Sequence, residues 1–397
     1  MKEAGIYIHF PFCKSRCQYC DFNTSAGLEE FIADYCLKLV KEIQINGRVL
    51  EKGFSIRSIY LGGGTPSYLP VRCIPEVLQA VKDTFRVSSG MEISMEANPA
   101  DITRANVSIW REAGVNRLSI GMQSAQDEEL KLLGRRHCFE DVIQAVDSIH
   151  KAGIENFNLD LMFGLPYQSM RNWQDSIMKA LDLAPTHLSL YALTVEDSTP
   201  LAADIQAGIL PAPDDDLAAD MYEWVMDSLA KNGFEQYEIS NWAKQDGATD
   251  YRCQHNLLYW RNQDYFGFGA AAHSHISSQR WANRTNVLEY IQMLSEFSGK
   301  ETASTPFPWF DMYTKLSPSE DMGETAMMGL RLVEEGLRDD LFQEKFDRSL
   351  FDVYKKQIDE LVGLGLLEIK ESEPRAIRLT KRGRLVGNQV FLRFLMD

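Results

Sequence analysis

The chain has 397 residues, with 41 Lys and Arg against 57 Asp and Glu, which gives a net charge of −16. This acidic balance argues against a nucleic-acid-binding protein, whose surface is normally basic. A hydrophobic content of 45% and a charged content of 25% are typical of globular proteins, and the length predicts two or three domains.

The sequence predicts neither a membrane span nor a secretory signal. It has no unbroken apolar run of about 18 residues, and its first residues lack an apolar stretch followed by a cleavage site. Seven cysteines are an odd and modest number for this length. They indicate reduced thiols rather than disulfides, so we expect a cytoplasmic protein.

The first half of the chain alternates short strands with helices. The predicted strands are Gly5–His9, Ser58–Leu61, Glu92–Ala97, Arg117–Gly121, Asn156–Met162 and His187–Leu193. The predicted helices are Leu28–Asn46, Ile74–Phe85, Thr103–Ala113, Phe139–Ala152 and Met170–Leu183. Six such rounds predict an α/β fold with a partial (β/α)6 barrel of the TIM type. Periodicity does not decide closure, so a doubly wound sheet remains the alternative.

After Pro200 the pattern changes. A long helix over Asp214–Asn232 precedes aromatic-rich extended segments, and Thr302–Pro318, with three prolines, is typical of a linker. The predicted elements beyond it are helices over Ser319–Glu335, Asp339–Phe346 and Leu350–Leu364, strands Leu366–Lys370 and Ala376–Leu379, and a last helix, Lys381–Leu395. Helices followed by a two-stranded wing predict a mainly α, winged-helix-like domain.

These patterns divide the chain into four segments. The first is a core barrel over residues 1–235, and the second is an aromatic-rich extension over residues 236–300. A linker over residues 301–318 and a C-terminal domain over residues 319–397 follow.

Three cysteines lie within eight residues, directly after the first predicted strand: Cys13, Cys17 and Cys20. Thiolates in this density suit zinc or an iron–sulfur cluster. A structural zinc ion needs a fourth ligand, which His9 or Asp21 could supply. A [4Fe-4S] cluster held by three thiolates instead leaves one iron free to bind another molecule.

Polar residues interrupt the apolar strands near their carboxyl ends. The loop Gly62–Thr65 follows the second strand, Glu96 ends the third, Gln123 follows the fourth, and Asp160 lies within the fifth. Loops at this end of the strands build one site in a β/α barrel. Arg135 could be a helix C-terminal cation or could meet a ligand carboxylate. The glycine triplet is not followed by Lys and Ser/Thr, which argues against a P-loop.

The spacing Cys-x3-Cys-x2-Cys resembles the signature of the radical SAM superfamily. The resemblance implies that Cys13, Cys17 and Cys20 each bind one iron of a [4Fe-4S] cluster. It also implies that S-adenosylmethionine (SAM) binds the fourth iron. An electron from the cluster would then cleave the sulfonium to a 5′-deoxyadenosyl radical.

Further motifs resemble the branch of this superfamily that holds coproporphyrinogen III dehydrogenases (HemN) and heme chaperones of the HemW type. The motifs are residues 7–13 (YIHFPFC), the glycine triplet, 96–99 (EANP), 121–124 (GMQS), 160–166 (DLMFGLP) and the tail 378–383 (RLTKRG). The SAM contacts that the resemblance implies are Tyr7, Tyr19, Gly63, Gly64, Thr65, Glu96, Gln123, Arg135, Asp160 and Ala192.

Two features separate the members of this branch. Dehydrogenase-like sequences have a further cysteine two residues after the third, whereas this chain has Phe22 there, as HemW-like sequences do. The chain also begins only twelve residues before Cys13, which is shorter than the N-terminal segment of the dehydrogenases.

The segment 255–260 (HNLLYW) matches the HNxxYW stretch of HemW-like sequences, which is implicated in heme binding. Imidazole and phenolate are both axial ligands of heme iron, and His255 and Tyr259 share a face of either a helix or a strand. Cys253 is an alternative ligand. The aromatic residues expected to wall such a site are Tyr251, Tyr259, Trp260, Tyr265, Phe266 and Phe268. The opposing interpretation is an aromatic core segment with a hydrogen-bonded histidine.

The leading hypothesis is a cytoplasmic heme chaperone that carries a [4Fe-4S] cluster and SAM, accepts heme and passes it to an acceptor protein. The second is an oxygen-independent coproporphyrinogen III dehydrogenase, and the third is a zinc-binding scaffold. The expected partners are heme and an acceptor protein but no nucleic acid, and peripheral contact with membrane respiratory proteins is left open. The oligomeric state is open between a monomer and a cofactor-dependent dimer.

Overall fold

The computed structural model describes residues 2–50, 53–298 and 306–395. Within these ranges one sheet contains twelve strands. In chain order they are β1 Lys2–Phe10, β2 Phe54–Gly63, β3 Val87–Ala97, β4 Arg117–Gln123, β5 Phe157–Phe163, β6 His187–Ala192, β7 Phe234–Glu238, β8 Asn241–Lys244, β9 Tyr265–Phe268, β10 His273–Ile276, β11 Gln279–Asn283 and β12 Phe310–Lys315.

Helices connect these strands and continue into the C-terminal part. The helices of the first part are α1 Ile32–Leu50, α2 Cys73–Thr84, α3 Arg104–Ala113, α4 Asp127–Leu132, α5 Phe139–Ala152, α6 Met170–Asp182, α7 Pro200–Gln206, α8 Asp215–Lys231, α9 Gln254–Trp260 and α10 Val287–Glu296. The helices of the second part are α11 Pro318–Gly329, α12 Asp339–Phe346, α13 Leu350–Val353, α14 Lys355–Gly363, α15 Lys381–Leu385 and α16 Gly387–Leu392.

Strands β1 to β6 are parallel and lie side by side in chain order. The order never reverses, which distinguishes a barrel-type sheet from the doubly wound alternative. Strand β1 pairs on its other edge with β9, and β6 pairs with β8. The sheet therefore does not close on itself, and the predicted partial (β/α)6 barrel is confirmed.

The two faces of the parallel strands differ in polarity. Because side chains alternate along a strand, Glu92, Ser94 and Glu96 of β3 point to one face, and Ile93 and Met95 point to the other. The apolar face belongs to a continuous core that the helices cover. The polar face lines the inside of the barrel, and this is where the strand-end residues meet.

Two sequence predictions after β8 are wrong. The predicted extended segments include a helix, α9, because the aromatic residues of 254–260 also fit a helical face. The predicted linker 301–318 contains strand β12, which pairs with β11, while residues 301–305 lie outside the described ranges. Phe307, Trp309 and Phe310 are buried and fix this segment to the core.

The C-terminal part has its own core. Strands β13 Leu337–Arg338, β14 Leu367–Lys370 and β15 Ala376–Leu379 form an antiparallel sheet in the order β13-β15-β14. The predicted hairpin, β14 with β15, is confirmed. The helix predicted over Leu350–Leu364 is instead α13 followed by α14, and the last predicted helix is α15 followed by α16.

No helix among the described residues is long and apolar enough to span a membrane.

Candidate functional site

A cavity of about 400 Å³ opens at the carboxyl ends of the parallel strands. Its wall contains polar side chains from β2 to β6 together with the loop after β1. The predicted residues that line it are Cys13, Cys17, Tyr19, Cys20, Gly63, Gly64, Thr65, Glu96, Gln123, Arg135, Asp160 and Ala192. The structure thus brings together residues that are far apart in the sequence.

The cysteine loop follows β1 and is held by backbone hydrogen bonds. The Cys13 N–H donates to the Ser25 carbonyl at 2.9 Å, and the Cys20 N–H donates to the Cys17 carbonyl at 3.3 Å. All three thiols are free of disulfides. Thr65 Oγ1 donates to Cys13 Sγ at 3.4 Å. Hydroxyl and amide donors to sulfur are the contacts that tune iron–sulfur centres.

Burial raises the pKa of the Cys13 and Cys20 thiols. A metal centre binds thiolates, so loading it would release protons. A single zinc ion would need ligand sulfurs about 3.8 Å apart, the edge of a tetrahedron with 2.3 Å bonds. No three His, Cys, Asp or Glu side chains of the described ranges are grouped for one ion. Three thiols around one cavity suit a multi-iron cluster, in which each binds a different iron.

The glycine triplet continues β2 into the cavity wall. Gly63 has a φ of +110°, which disfavours any residue with a side chain. A Cβ at Gly64 would lie 2.6 Å from the Phe12 carbonyl oxygen and 2.8 Å from that of Phe10. The absence of side chains therefore lets this loop contact the segment that leads into the cysteine loop.

Glu96 and Asp160 are two buried carboxyl groups that face the cavity. Glu96 accepts hydrogen bonds from Tyr60 Oη and from the Gly63 N–H, both at 3.1 Å. Burial, with a smaller contribution from Asp160, raises the pKa of Glu96 to about 7. Asp160 accepts from Ser119 Oγ at 3.1 Å, and burial raises its pKa as well. These carboxyl groups can hold a cationic ligand.

Arg135 brings a cation to the same cavity. Its Nη2 donates to the Gly121 carbonyl at 2.9 Å, and its Nη1 donates to Cys17 Sγ at 3.4 Å. Its Nε is buried and has no hydrogen-bond partner among the described residues. A guanidinium with an unused donor suits a ligand carboxylate. Burial raises the pKa of the neighbouring Tyr19, so this phenol is neutral.

Tyr7 lies below the cavity rather than in its lining. Its Oη is 2.9 Å from His9 Nδ1, and His9 Nε2 donates to the Asn23 carbonyl at 2.9 Å. Tyr7 thereby orients His9, and His9 ties β1 to the end of the cysteine loop. Its role as a SAM contact stays a prediction.

Several residues of the cavity lining were not predicted from the sequence, notably Tyr60, Ser119 and Tyr191. Tyr60 is two residues before Gly62 on the same face of β2, and Tyr191 is one residue before Ala192 at the end of β6. The period of two along β2 could have identified Tyr60. No signal in the sequence distinguishes Tyr191 from a core tyrosine.

His255 and Tyr259 lie on α9, inside the open barrel and outside the cavity lining. His255 is only 1% exposed, its Nδ1 is 2.9 Å from Ser58 Oγ, and its Nε2 is 3.0 Å from Tyr259 Oη. Burial lowers the pKa of His255 to about 3, so the ring is neutral. Both nitrogens are occupied, and heme ligation by this pair stays a prediction that would require these hydrogen bonds to break.

The predicted aromatic wall is wrong for Phe266 and Phe268. Alternation along β9 points both rings to the apolar face, where they pack against Phe85 in the main core. Cys253 is fully buried, and its Sγ lies 3.5 Å from Glu92 Oε1. Burial raises the pKa of this thiol to about 12, so it is a poor ligand in this fold.

The barrel and the three-cysteine cavity define a protein of the radical SAM class. A sequence profile of the Radical SAM superfamily matches residues 7–180, and one of the HemN C-terminal domain matches residues 316–386. Membership of this superfamily implies a [4Fe-4S] cluster and SAM. Proteins of similar sequence identify the family within this superfamily.

The heme chaperone HemW of Escherichia coli (strain K12) is 39% identical over 406 residues, which cover 100% of this chain and 99% of that protein. The heme chaperone HemW of Bacillus subtilis (strain 168) is 37% identical over 396 residues, with the same coverage of both chains. The chain belongs to the HemW family.

Two further similarities are to a mitochondrial protein and to a solved structure. The mouse mitochondrial radical S-adenosyl methionine domain-containing protein 1 is 34% identical over 99% of this chain and 87% of its own length. The solved structure of coproporphyrinogen III oxidase (HemN) from Escherichia coli superposes with a TM-score of 0.81 over 99% of this chain and 90% of that chain. At 22% identity this likeness concerns the fold alone.

Proposed function

We propose that this protein is a heme chaperone that binds a [4Fe-4S] cluster and SAM, accepts heme and passes it to an acceptor protein in the cytoplasm. The observation that carries the proposal is identity of 37% to 39% with HemW proteins over the whole chain. The aligned residues therefore include the cavity, the helix α9 that carries the HNxxYW motif, and the C-terminal domain.

In this proposal Cys13, Cys17 and Cys20 ligate three irons of the cluster, which supplies an electron to the sulfonium of SAM when both are bound. Glu96 and Asp160 face the cationic part of SAM, and Arg135 offers its unused donor to the SAM carboxylate. The chain's own residues thus orient the nucleotide.

The alternative is oxygen-independent coproporphyrinogen III dehydrogenase activity. One observation speaks against it: Phe22 stands where dehydrogenase-like sequences have a further cysteine, and its side chain is 66% exposed at the cavity. Likeness to HemN supports the shared barrel without indicating the shared reaction.

The test is anaerobic reconstitution with iron and sulfide, followed by heme titration and incubation with coproporphyrinogen III. We expect about four irons and four sulfides per chain, stoichiometric heme binding, and heme transfer to an acceptor apoprotein. We expect no protoporphyrinogen IX. Formation of protoporphyrinogen IX at catalytic turnover would refute the chaperone hypothesis in favour of the dehydrogenase hypothesis. Absence of heme binding would also refute the chaperone hypothesis.

The cluster ligands are tested separately with Cys17→Ala, which we expect to lose most of the iron bound by the wild type. Cys138→Ala is the matched control, because Cys138 is also a partly buried, free thiol but precedes helix α5, outside the cavity lining. Equal iron content in both variants would exclude Cys17 as a ligand.

A further inference from the structure

The side chain of Tyr60 connects His255 to the cavity. The imidazole lies 5.4 Å from the ring of Tyr60, centroid to centroid, with 29° between the planes. Tyr60 lines the cavity and donates through Oη to Glu96 Oε1 at 3.1 Å. Two successive contacts therefore join helix α9 to a carboxylate of the proposed SAM site.

The His255 ring is itself fixed on several sides. Ser58 and Tyr259 occupy its two nitrogens, and its backbone N–H donates to Glu92 Oε1 at 3.2 Å. A Cβ built at Gly5 would lie 3.1 Å from the Cε1 atom of the imidazole. The ring is therefore packed against β1 as well as β2.

The other oxygen of Glu96 accepts the Gly63 N–H at 3.1 Å. Gly63 belongs to the loop that also brings Thr65 to Cys13 Sγ at 3.4 Å. The position of the Glu96 carboxylate is therefore coupled to that of the loop, and Tyr60 is its side-chain hydrogen-bond donor on the β2 side.

We infer that His255 is a positioning residue of the cofactor cavity: its ring holds Tyr60 in place, and Tyr60 in turn holds Glu96 in place for SAM. On this inference His255 does not ligate heme iron. The inference rests on the proposed function, because it concerns the SAM site of that proposal. The inference goes beyond that proposal because it assigns the histidine of the HNxxYW motif to the SAM site and not to heme.

A titration of SAM affinity against pH reports on this path. The titratable groups that face Glu96 are Tyr7 on β1, Tyr60 on β2, Asp160 on β5, Tyr191 on β6 and Tyr259 on α9. Arg117 on β4 is the cation behind them, and its charge acts on Tyr60 and Asp160. Burial raises the pKa of each of these tyrosines, so they stay neutral near pH 7. Asp160 is the acid whose charge acts on Glu96.

The sulfonium of SAM is a fixed cation, so an ionised Glu96 favours it. Affinity should rise with pH through the pKa of Glu96, about 7. The hydrogen bond from Tyr60 stabilises the ionised form and lowers this pKa. Loss of that hydrogen bond should therefore move the midpoint of the affinity profile to higher pH.

The experiment measures SAM affinity and heme affinity in the anaerobically reconstituted full chain. The variants are His255→Ala, His255→Gln and Tyr60→Phe, and Gln254→Ala is the control. Tyr60→Phe keeps the ring that stacks on His255 and removes only the phenol, so it guards against a folding defect in His255→Ala. Gln254 lies on the same helix but outside the motif, and its side chain bonds to Arg57, Asp250 and the Arg252 carbonyl rather than to Ser58, Tyr60 or His255.

We expect Tyr60→Phe and His255→Ala to weaken SAM binding about 5- to 10-fold, as the loss of one hydrogen bond of typical strength would. Both should shift the pH midpoint upward, and His255→Gln, which can still bond to Ser58, should recover part of the affinity. Heme affinity should stay within about twofold of the wild type in all variants, and Gln254→Ala should match the wild type throughout.

Loss of heme binding in His255→Ala with unchanged SAM affinity would overturn the inference, as would an unaltered pH midpoint in Tyr60→Phe. A wild-type protein that binds SAM but no heme would instead refute the chaperone function and leave the positioning role to be decided by the SAM data. A wild-type protein that binds no SAM would refute both.

Discussion

Single residues of the loop Gly62–Thr65 determine how closely two backbone segments approach beside the cavity. The Gly64 N–H donates to the Phe10 carbonyl at 2.7 Å, and the Thr65 N–H donates to the Phe12 carbonyl at 2.9 Å. These contacts require that no side chain stand between the strands. The glycine triplet is therefore a steric requirement of the site in addition to a turn.

Gly64→Ala should destabilise this loop, because the new Cβ would lie within 2.8 Å of two backbone oxygens that cannot move away as a flexible side chain would. We expect a loss of about 1–3 kcal/mol in the free energy of unfolding and a reduced iron content after reconstitution. Thermal unfolding and iron analysis measure the two effects.

Gly363→Ala is the control for that substitution. Gly363 ends helix α14, and an added Cβ meets no atom within 4 Å. Alanine is the better helix former, so this variant should be neutral or slightly more stable. Equal destabilisation by both variants would contradict the steric argument.

At the scale of elements, helix α1 is joined to the strands beyond β1 by the buried carboxyl group of Glu42. It accepts from the Gly269 N–H at 2.8 Å, from Asn283 Nδ2 at 2.6 Å and from Tyr290 Oη at 2.5 Å. Burial raises the pKa of Glu42 to about 7. One side chain thus fixes α1 against β9, β11 and α10.

The raised pKa makes stability depend on pH in a definite direction. An unfolded Glu releases its proton near pH 4.3, whereas Glu42 in the folded state keeps it until about pH 7. The folded state therefore binds more protons in this window, and the contribution of Glu42 to stability falls as pH rises through it. Between pH 4 and pH 8 the free energy of unfolding of the wild type should therefore fall by about 3 kcal/mol more than that of Glu42→Gln.

Chemical denaturation at several pH values measures that difference. Asp34→Asn is the control on the same helix, because Asp34 is exposed and forms only a surface ion pair with Lys38 at 3.5 Å. Such pairs contribute little, so its pH profile should match the wild type. Parallel profiles for the wild type and Glu42→Gln would refute the buried-carboxyl explanation.

At the scale of the whole molecule, helix α9 connects the barrel to the C-terminal domain. Its first N–H groups donate to Glu92 of β3. At its other end Arg261 forms an ion pair with Glu335 at 2.6 Å. Arg331 lies 4.4 Å from the Trp260 ring and 5.7 Å from the Phe391 ring. Contacts on both sides couple the two parts of the chain through the HNxxYW helix.

Arg331→Met should weaken this coupling, because it removes a cation that contacts an aromatic ring on each side of the junction. We expect a loss of at least about 1 kcal/mol, because Arg331 also lies 4.0 Å from the buried carboxyl group of Glu238. The C-terminal domain should unfold earlier in differential scanning calorimetry. Arg375→Met is the control, since Arg375 lies 3.7 Å from the Phe351 ring within the C-terminal domain itself. If both variants gave the same transition profile, the junction would not depend on Arg331.

Much of this molecule could be predicted from local patterns. Helix α5 begins and ends where the apolar spacing and the glycine after it indicate, and its cap Gly153 is left-handed. The alternation of β3 and β5 correctly indicated that Glu96 and Asp160 interrupt apolar strands. The predicted linker failed because β12 is an edge strand, in which prolines nearby are tolerated and pairing is supplied by β11.

The sequence by itself determined most of the elements, the cysteine spacing and the family, because strand alternation, helix periodicity and ligand spacing are local properties. Only the tertiary structure decided the surroundings of His255, since its partner Ser58 is 197 residues away along the chain. It also decided that the histidine is buried beside Tyr60, which its sequence motif does not indicate. Burial and hydrogen-bond partners of a side chain depend on contacts between distant segments, and these exist only once the barrel and its two extensions have formed.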